Sequence, residues 1–412
     1  MDYFDYRDGE LWAEQVRVRD LAERFGTPLY VYSTRTLTRH YRAFDSAMQG
    51  LDHLTCFSVK ANGNVGLLRL MGRLGAGVDI VSGGELHRAL KAGIDPRKIV
   101  FSGVGKQEHE IRQALATDIL MFNVESAQEM EKIGRIAAEM SREARISIRI
   151  NPDVDPKTHP YISTGLKKNK FGLDILEAAG LYLLAKETPF LEPVGIDCHI
   201  GSQLTQIGPF AEALGKLLDF VDQLRQSGVT IRYFDLGGGL GITYNDEEPP
   251  LPEELGRFIA KSLAGKPLTV ILEPGRAIAG NAGILVTRVL YTKRTAVKKF
   301  VIVDAAMNDL VRPSFYGAYH RIGEVSPQAR QLEVVDVVGP ICESADFLAQ
   351  DRALPVLKPG ELVAVFSAGA YGFTMSSQYN SRPRAAEVMV DGDQTALIRR
   401  RETYDDLIAL EV

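Results

Sequence analysis

The 412-residue sequence lacks the features that mark secreted, membrane or nucleic-acid-binding proteins. Its three cysteines, Cys56, Cys198 and Cys342, form no Cys-x-x-Cys or His-Cys pattern, which argues against a disulfide framework or a thiolate metal site and favours a reducing compartment. No apolar run approaches the ~18 residues of a membrane helix. The acidic start MDYFDYRDGE lacks the apolar stretch of a signal peptide. A net charge of -5 provides no basic surface for nucleic acid or anionic membrane. These absences predict a cytoplasmic protein.

What the sequence does contain is a series of eight short apolar runs, each ending in polar or glycine residues. The runs are 54–60, 78–85, 99–106, 119–126, 146–153, 194–202, 233–239 and 268–276. Helical patterns, such as those at 66–75, 85–93, 126–140 and 210–228, lie between them. Strands that alternate with helices, with chemistry at one end of every strand, are typical of a TIM-type (β/α)8 barrel, whose active site lies at that end. We therefore expect an α/β enzyme.

The rest of the chain predicts a second domain. A single barrel needs only ~250 residues, and the pattern changes after residue 278. Segments 283–295, 298–306, 332–340, 361–369 and 385–392 alternate in the manner of antiparallel strands. The run PLYVYS, before the barrel, could return to join them. We predict a barrel over 34–278 and a β domain, sandwich-like or barrel-like, built from both chain ends, 1–33 and 279–412.

Residues 151–172 follow the fifth run without a helical period. Long structureless segments at a barrel mouth are more often lids or binding loops than random insertions. We therefore expect a mobile lid here.

Lys60 ends the first run, in FSVKAN. A lysine usually packs its stem and leaves its ammonium in water. At the end of a barrel strand, partial desolvation favours the neutral amine, which makes Lys60 a candidate Schiff-base nucleophile.

Glycines and an arginine after the last two runs predict an anion site. Gly237, Gly238 and Gly239 open the seventh loop, where backbone N–H groups could close on a phosphate. A tight turn explains three glycines equally well. Gly275 and Arg276, in EPGR, could complete the same site, so the two loops together favour a phosphate group.

Glu273 and His199 lie at the ends of the eighth and sixth runs. Glu273 could pair with an arginine such as Arg276, or it could bind a protonated ring nitrogen. A lone histidine is usually structural, yet the flat imidazole of His199 could stack on an aromatic ligand. An amine, a phosphate site, a carboxylate and a stacking ring together fit one ligand, pyridoxal 5′-phosphate.

The chain resembles the fold-type III pyridoxal-phosphate decarboxylases. The matching motifs run in order across nearly the whole sequence: FSVKAN, VDIVSGGE, HPYISTGLKKNKFG, HIGSQ, DLGGGLGI, EPGRAIAG, RPSFYGAYH, GPICES and AYGFTMSSQYNSRPR. The resemblance implies an alanine-racemase-like barrel with a β domain. It also implies a head-to-tail homodimer in which Cys342 and Glu343 reach the active site of the other subunit.

The resemblance further implies a role for each matching residue. Lys60 would form the Schiff base with the cofactor, His199 would lie on its ring, and Glu273 would hold the ring nitrogen protonated. Cys342 would be the proton donor. Without the resemblance, this cysteine would be interpreted as a small, buried apolar residue. The other cofactor contacts would be Asp79, Ser202, Gly237, Gly238, Gly239, Pro274, Gly275, Arg276 and Tyr371. The substrate contacts would be Arg276, Arg312, Tyr316, Glu343 and Tyr371, and no metal is implied.

Charge at the implied substrate contacts suggests a dicarboxylic substrate. Arg276 and Arg312 could grip a distal carboxylate with two-point geometry, and Glu343 could take a distal ammonium. Together with this charge pattern, the resemblance implies decarboxylation of meso-2,6-diaminopimelate to L-lysine as the expected reaction. Open alternatives are carboxynorspermidine, ornithine, arginine or a carrier-linked amino acid as substrate. A racemase is disfavoured, because GPICES offers a cysteine where a tyrosine acid/base is expected. A cofactor-binding module without activity is the remaining alternative.

Overall fold

Eight parallel strands close into a barrel, paired in the order in which they occur along the chain. The structure, a computed structural model, describes residues 2–155 and 169–412. The barrel strands are His53–Ser58, Gly77–Ile80, Ile99–Phe101, Met121–Val124, Ala144–Arg149, Leu191–Asp197, Tyr233–Asp235 and Thr269–Leu272. Each overlaps one of the eight predicted runs, so the predicted (β/α)8 barrel is confirmed.

The barrel strands form because they are mostly apolar and are buried on both faces. Gly77–Ile80, Ile99–Phe101 and Met121–Val124 are buried at every position. Parallel strands covered by helices have this continuous burial, whereas half-exposed strands alternate. Interior burial of this kind stabilises by roughly 1.5–3 kcal/mol for each large apolar side chain.

Helices follow most of the strands, and several of them begin at polar side-chain caps. Ser82, Ser126 and Asp174 each accept a hydrogen bond from the backbone N–H three residues later, which satisfies a free amide of the first turn. Capping so close to the strands keeps the connecting loops short at the carboxyl end of the barrel. The helices around the barrel are Thr34–Ala47, Val65–Arg73, Gly83–Ala92, Glu108–Thr117, Ala127–Met140, Ile175–Glu187, Gly208–Gln226, Pro252–Ser262 and Arg276–Ala279.

The chain divides into two compact units. The barrel unit comprises His40–Ile242 and Glu248–Ala277. The second unit, called here the β unit, comprises Met1–Arg39, Thr243–Glu247 and Ile278–Val412. Both ends of the chain thus contribute to the β unit, as the fold class predicted.

The β unit contains a nine-stranded sheet and a small three-stranded antiparallel sheet. Leu29–Ser33, from the N-terminal segment, lies between Gly283–Arg294 and Ala386–Asp391. The remaining strands of the large sheet are Lys299–Val303, Ile322–Glu324, Leu332–Val338, Phe347–Pro355, Leu362–Val365 and Gln394–Arg399. The small sheet is Phe4–Arg7, Glu10–Ala13 and Val16–Arg17, and the helices are Val18–Phe25, Arg312–Tyr316 and Tyr404–Ile408.

The prediction of antiparallel strands is correct for most pairings of the later segments, but two pairings are parallel. Ala386–Asp391 pairs parallel with Leu29–Ser33. Lys299–Val303 pairs parallel with Leu332–Val338. The chain between them is long enough to hold the helix Arg312–Tyr316 and the strand Ile322–Glu324. A crossover of this length returns the chain in its original direction, whereas a tight hairpin reverses it. The large sheet is therefore mixed.

The β unit has its own apolar core. Side chains from the N-terminal segment pack with side chains from the later strands in one buried cluster, which includes Leu11, Leu21, Val31, Ile284, Val286, Phe366 and Val388. Within the described residues, none of the helices has the length and apolar character needed to cross a membrane.

Candidate active site

Lys60 lies in a single helical turn, Val59–Ala61, directly after the first barrel strand. Its Nζ donates a hydrogen bond to Oδ2 of Asp79, at 2.7 Å, and Ser58 Oγ donates to the same oxygen at 2.6 Å. The Asp79 side chain is fully buried on the second strand, whereas 34% of the Lys60 side chain is exposed. The carboxylate therefore fixes an amine that a small molecule can still reach.

Glu273 follows the eighth strand and is only 4% exposed. Burial raises its pKa well above the usual range, and the nearby carboxyls of Asp235, Asp79 and Asp197 raise it further, while Lys60 opposes them. Among the described residues its Oε1 has no hydrogen-bond partner. A buried carboxyl oxygen without a partner is costly, so Glu273 suits a ligand that supplies an N–H at this place.

Asp235, on the seventh strand, connects Glu273 to the glycine loop. Its Oδ1 accepts the N–H of Gly237 at 2.9 Å, and its Oδ2 accepts from Asn123 Nδ2 at 3.2 Å. Burial raises the pKa of Asp235 to about 6, although the hydrogen bonds from Gly237, Asn123 and Glu273 oppose the shift. The sequence did not single out Asp235 or Asn123, yet both lie in the predicted runs.

His199 follows the sixth strand, and its ring packs against the glycine loop. Its Nδ1 accepts the N–H of Gly238 at 3.1 Å. Burial lowers the pKa of His199 well below its usual value, and the charges of Arg149 and Lys60 lower it further. The imidazole is therefore neutral, with its proton on Nε2.

The glycine loop needs glycine for steric reasons. Gly237 and Gly239 have φ angles of +63° and +117°, which favour glycine. A Cβ on Gly238 would overlap the carbonyl oxygen of Glu273, and one on Gly239 would lie 2.6 Å from the carbonyl oxygen of Gly201. The N–H groups of Gly237 and Gly238 are donated to Asp235 and His199. These two N–H groups are thus already used within the protein, and the glycines allow the loops to pack closely.

Arg276 and Ser202 supply polar groups beside this loop. Arg276 is 5% exposed at the start of the helix Arg276–Ala279. Its Nε and Nη2 donate to Ser202 Oγ at 3.3 and 3.2 Å. A Cβ on the preceding Gly275 would lie 2.9 Å from Ala61 Cβ, and the carbonyl of Pro274 accepts the N–H of Ser58. The loop of the eighth strand is thereby packed against that of the first.

A second network, which sequence reasoning missed, centres on Arg149 in the fifth strand. Its Nη1 donates to Glu125 Oε1 at 2.8 Å, its Nη2 donates to the carbonyl of His199 at 3.3 Å, and Asp197 lies 3.8 Å from its Nε. Arg149 therefore connects the loops after the fourth and sixth strands. The sequence signal that could have revealed Arg149 is a charged residue inside the apolar run ISIRI.

The predicted lid lies largely outside the described residues. Of segment 151–172, the structure describes 151–155 and 169–172. Asn151 N–H is donated to the carbonyl of Leu173, and Gly172 N–H is donated to Glu125 Oε2 at 2.9 Å. The two ends of the segment are therefore tied to the barrel next to Arg149, and the lid stays a prediction.

The remaining predicted residues lie in the β unit. Arg312 is 6% exposed at the start of the helix Arg312–Tyr316, and its guanidinium lies over the Tyr316 ring. Cys342 is exposed, and its N–H is donated to Asn380 Oδ1 at 2.7 Å. Glu343 is exposed beside it, and Tyr371 has a φ of +55°. These residues belong to a different unit from Lys60 and Glu273.

Among the residues that the structure describes, no three His, Cys, Asp or Glu side chains are grouped to hold a metal ion. The barrel mouth instead combines an accessible amine, a buried carboxyl, a neutral imidazole and an arginine beside a side-chain-free loop. This combination can bind a small ligand that carries an aldehyde, a basic ring nitrogen and an anionic group.

Comparisons with known proteins agree with this geometry. Residues 34–280 match the family model described as "Pyridoxal-dependent decarboxylase, pyridoxal binding domain". The chain is 56% identical to diaminopimelate decarboxylase of Pseudomonas aeruginosa, over 100% of this chain and 99% of the relative. It is 55% identical to the protein of that name from Vibrio cholerae, with the same coverage. Diaminopimelate decarboxylase from Helicobacter pylori, in complex with L-lysine, superposes with a TM-score of 0.93 at 47% identity, over 95% of this chain and 98% of that one.

Proposed function

The chain belongs to the diaminopimelate decarboxylases of the pyridoxal-dependent decarboxylase family, and from this premise we propose how its own residues perform the reaction. The protein is a pyridoxal 5′-phosphate-dependent carboxy-lyase that converts meso-2,6-diaminopimelate to L-lysine and CO2, the last step of lysine biosynthesis. The observation that carries the assignment of roles is the arrangement of Lys60, Glu273 and Arg276 at the ends of barrel strands.

Bound pyridoxal phosphate supplies a conjugated, protonated ring that takes up the electrons released as a carboxylate leaves. The barrel residues fit this group. Lys60 offers a partly exposed amine for the aldehyde, and the partnerless oxygen of Glu273 suits the ring N–H. Arg276 and Ser202, beside the glycine loop, suit the phosphate. Asp79 holds the lysine in place, and Pro274 and Gly275 shape the last loop.

Charge decides the roles of Glu273 and His199. The raised pKa of Glu273 means that its ionised form needs a cationic neighbour, which a protonated ring nitrogen provides. His199 is kept neutral, so its ring can lie flat against a cationic ring without repulsion. An electron sink of this kind is stabilised by groups that are already in place before the reaction starts.

The proton for the α carbon is assigned to Cys342, with Lys60 as the other candidate donor. We assign Cys342 and Glu343 to the active site of the partner subunit in a head-to-tail homodimer. The exposure of both residues on a single chain supports this assignment, because a proton donor works best where a neighbour excludes water. A free, exposed thiol in a catalytic role also supports a cytoplasmic, reducing location.

A mixing experiment tests the shared site. Lys60→Ala and Cys342→Ala proteins are each expected to be inactive, but subunit exchange creates heterodimers in which one site has both residues. Random exchange should restore about a quarter of the wild-type activity, because half of the dimers have one working site of two. A mixture that stays inactive, although native mass spectrometry shows heterodimers, would place both residues in one chain's site.

We assign binding of the substrate's distal amino-acid group to Arg276, Arg312, Tyr316 and Tyr371. Glu343 would bind the distal ammonium. Two guanidinium groups can grip one carboxylate through paired N–H donors. Ornithine and arginine have no distal carboxylate, so these arginines would discriminate against them.

The overall function is tested by CO2 release with pyridoxal phosphate present. Meso-diaminopimelate should turn over with lysine as product, while ornithine, arginine and carboxynorspermidine should not. Borohydride treatment followed by peptide mass analysis should find the cofactor on Lys60. Lys91→Ala, at an exposed lysine on the helix Gly83–Ala92, is the matched control and should keep full activity. Turnover of another amine would overturn the substrate, and bound cofactor without turnover of any candidate would favour a non-catalytic module.

A further inference from the structure

The substrate-contacting arginine of the β unit, Arg312, is held by aromatic and imidazole groups. Its Nε donates to Nε2 of His320 at 3.4 Å. Its guanidinium carbon lies 5.0 Å from the ring centre of Tyr244 and 5.7 Å from that of Tyr316. Arg312 and His320 are 6% and 0% exposed. A nearly buried guanidinium is thus fixed in one orientation.

The environment of His320 fixes its tautomer. Nδ1 lies 2.9 Å from the carbonyl oxygen of Phe366, and a carbonyl oxygen can only accept. The proton of the neutral ring is therefore on Nδ1, which leaves Nε2 with a lone pair. Nε2 is the atom that meets Arg312, so it must act as the acceptor of the arginine N–H.

The ring is prevented from turning away. The Tyr244 ring meets it edge-on, with centroids 5.3 Å apart and planes at 78°. The backbone carbonyl of His320 accepts from Arg352 Nη1 at 2.8 Å. Side chain and backbone of His320 are therefore both anchored inside the β unit.

The direction of this contact has a consequence for Arg312. A guanidinium can present either the edge that contains Nε or the edge formed by its two Nη groups. Because His320 accepts from Nε, the Nη edge is the one suited to bind a carboxylate with two parallel hydrogen bonds.

We propose that His320 is a positioning residue that aims the Nη edge of Arg312 at the distal carboxylate, and so selects substrates that carry this group. The inference rests on the proposed role of Arg312 in substrate binding. An ordinary core histidine would fill the same volume, but it would not need an acceptor at Nε2. The two roles therefore separate when volume and acceptor are changed independently.

Two substitutions make that separation. His320→Phe keeps a ring of similar size and removes both nitrogens, whereas His320→Gln places an amide oxygen close to the position of Nε2. The loss of one hydrogen bond that orients a charged group is worth about tenfold in binding. We expect His320→Phe to raise KM for meso-diaminopimelate about tenfold, with kcat within about twofold of wild type, and His320→Gln to recover most of the loss.

Inhibitors locate the effect within the substrate. L-Lysine retains the distal amino-acid head with its carboxylate, whereas cadaverine carries no carboxylate. The inhibition constant of lysine should rise with KM in His320→Phe, and that of cadaverine should not change. His53→Phe, at a half-buried histidine that contacts Leu51 and Asp45 in the barrel unit, is the matched control and should leave both constants unchanged.

A double-variant cycle completes the test. With Arg312→Ala in place, adding His320→Phe should not raise KM further, because the imidazole acts through the arginine. A full additional loss would overturn the positioning role while leaving Arg312 as a substrate contact. Equal weakening of lysine and cadaverine, or a fall in kcat alone, would also overturn it. An unchanged KM in Arg312→Ala itself would refute the proposed role of Arg312, and the inference with it.

Discussion

The loop that presents Cys342 and Glu343 is tied to a neighbouring segment by a buried carboxylate, and removing that carboxylate should lower turnover without releasing the cofactor. Asp346 is 4% exposed. Its Oδ2 accepts the N–H of Ile341 at 2.7 Å, and its Oδ1 accepts the N–H of Met307 at 2.7 Å. The carboxylate thus ties the Cys342 loop to a neighbouring segment.

The cost of breaking this contact follows from burial. In Asp346→Ala the buried N–H of Ile341 loses its acceptor, which costs about 1–3 kcal/mol, and the partly buried N–H of Met307 adds a smaller amount. A Cβ at Gly339 would lie 2.6 Å from Oδ2, so the carboxylate fills its space closely. Loss of about 2–3 kcal/mol from so short a loop is enough to displace Cys342 by the ~1 Å that costs about a hundredfold in rate.

The assay combines three measurements on purified holoenzyme: CO2 release, cofactor absorbance and thermal unfolding. Asp346→Ala should lose about a hundredfold in kcat and keep its cofactor, because all the proposed cofactor residues except Tyr371 lie in the barrel unit. Asp346→Asn keeps one acceptor oxygen, so its kcat should lie between those of the wild type and Asp346→Ala. Asp351→Ala is the matched control, since this aspartate of the same unit is 72% exposed. Wild-type turnover in Asp346→Ala would refute the reasoning, and loss of the cofactor together with activity would make Asp346 a folding residue.

Three further predictions concern the donor, the glycine loop and pH. Cys342→Ala should retain bound cofactor and lose about a hundredfold or more in turnover, by single-turnover kinetics. Gly238→Ala should weaken cofactor binding measured by titration, because its Cβ would overlap the Glu273 carbonyl, whereas Gly180→Ala, at a helix position with open space, should stabilise by up to about 1 kcal/mol. Burial raises the pKa of Asp309 from 3.8 to about 7. The folded protein therefore holds a proton that the unfolded chain has lost. The stability from this group is complete below the unfolded pKa and is lost as pH rises through about 7, on the order of 1 kcal/mol per pH unit. Asp309→Asn should flatten that slope in chemical unfolding, and an unchanged slope would refute the assignment.

The barrel could be predicted because its information is local. Each strand has a short apolar run, and the main functional residues predicted for the barrel lie just after the ends of strands, as Lys60, His199 and Glu273 do. The carboxyl ends of parallel strands meet at one rim, so position along a strand translates directly into position in space. The direction of pairing in the β unit had no such local signal, which is why the parallel pairing of Lys299–Val303 was missed.

The residues that hold the functional groups were missed because their partners are distant in sequence. Asp235 meets Asn123 from 112 positions away, and Met307 meets Asp346 from 39. Asp235 lies in an apolar run and Asp346 follows the GPICES motif. Nothing in the sequence distinguishes such a buried hydrogen-bond acceptor from an aspartate at the surface. The glycine loop shows the same limit, since only the structure reveals that Gly237 and Gly238 give their N–H groups to the protein.

The distribution of charge across the barrel mouth also explains how one cofactor could be oriented. Several buried carboxyls lie close enough to influence one another, and burial and mutual repulsion raise the pKa of Asp197, Asp235 and Glu273. An anion placed there would add to that repulsion, whereas a ring N–H would relieve it. The guanidinium of Arg276, which donates to Ser202, supplies the positive charge that an anionic group needs. A ligand with a basic nitrogen at one end and a phosphate at the other therefore has one favourable orientation, and its reverse would bury phosphate against carboxyls.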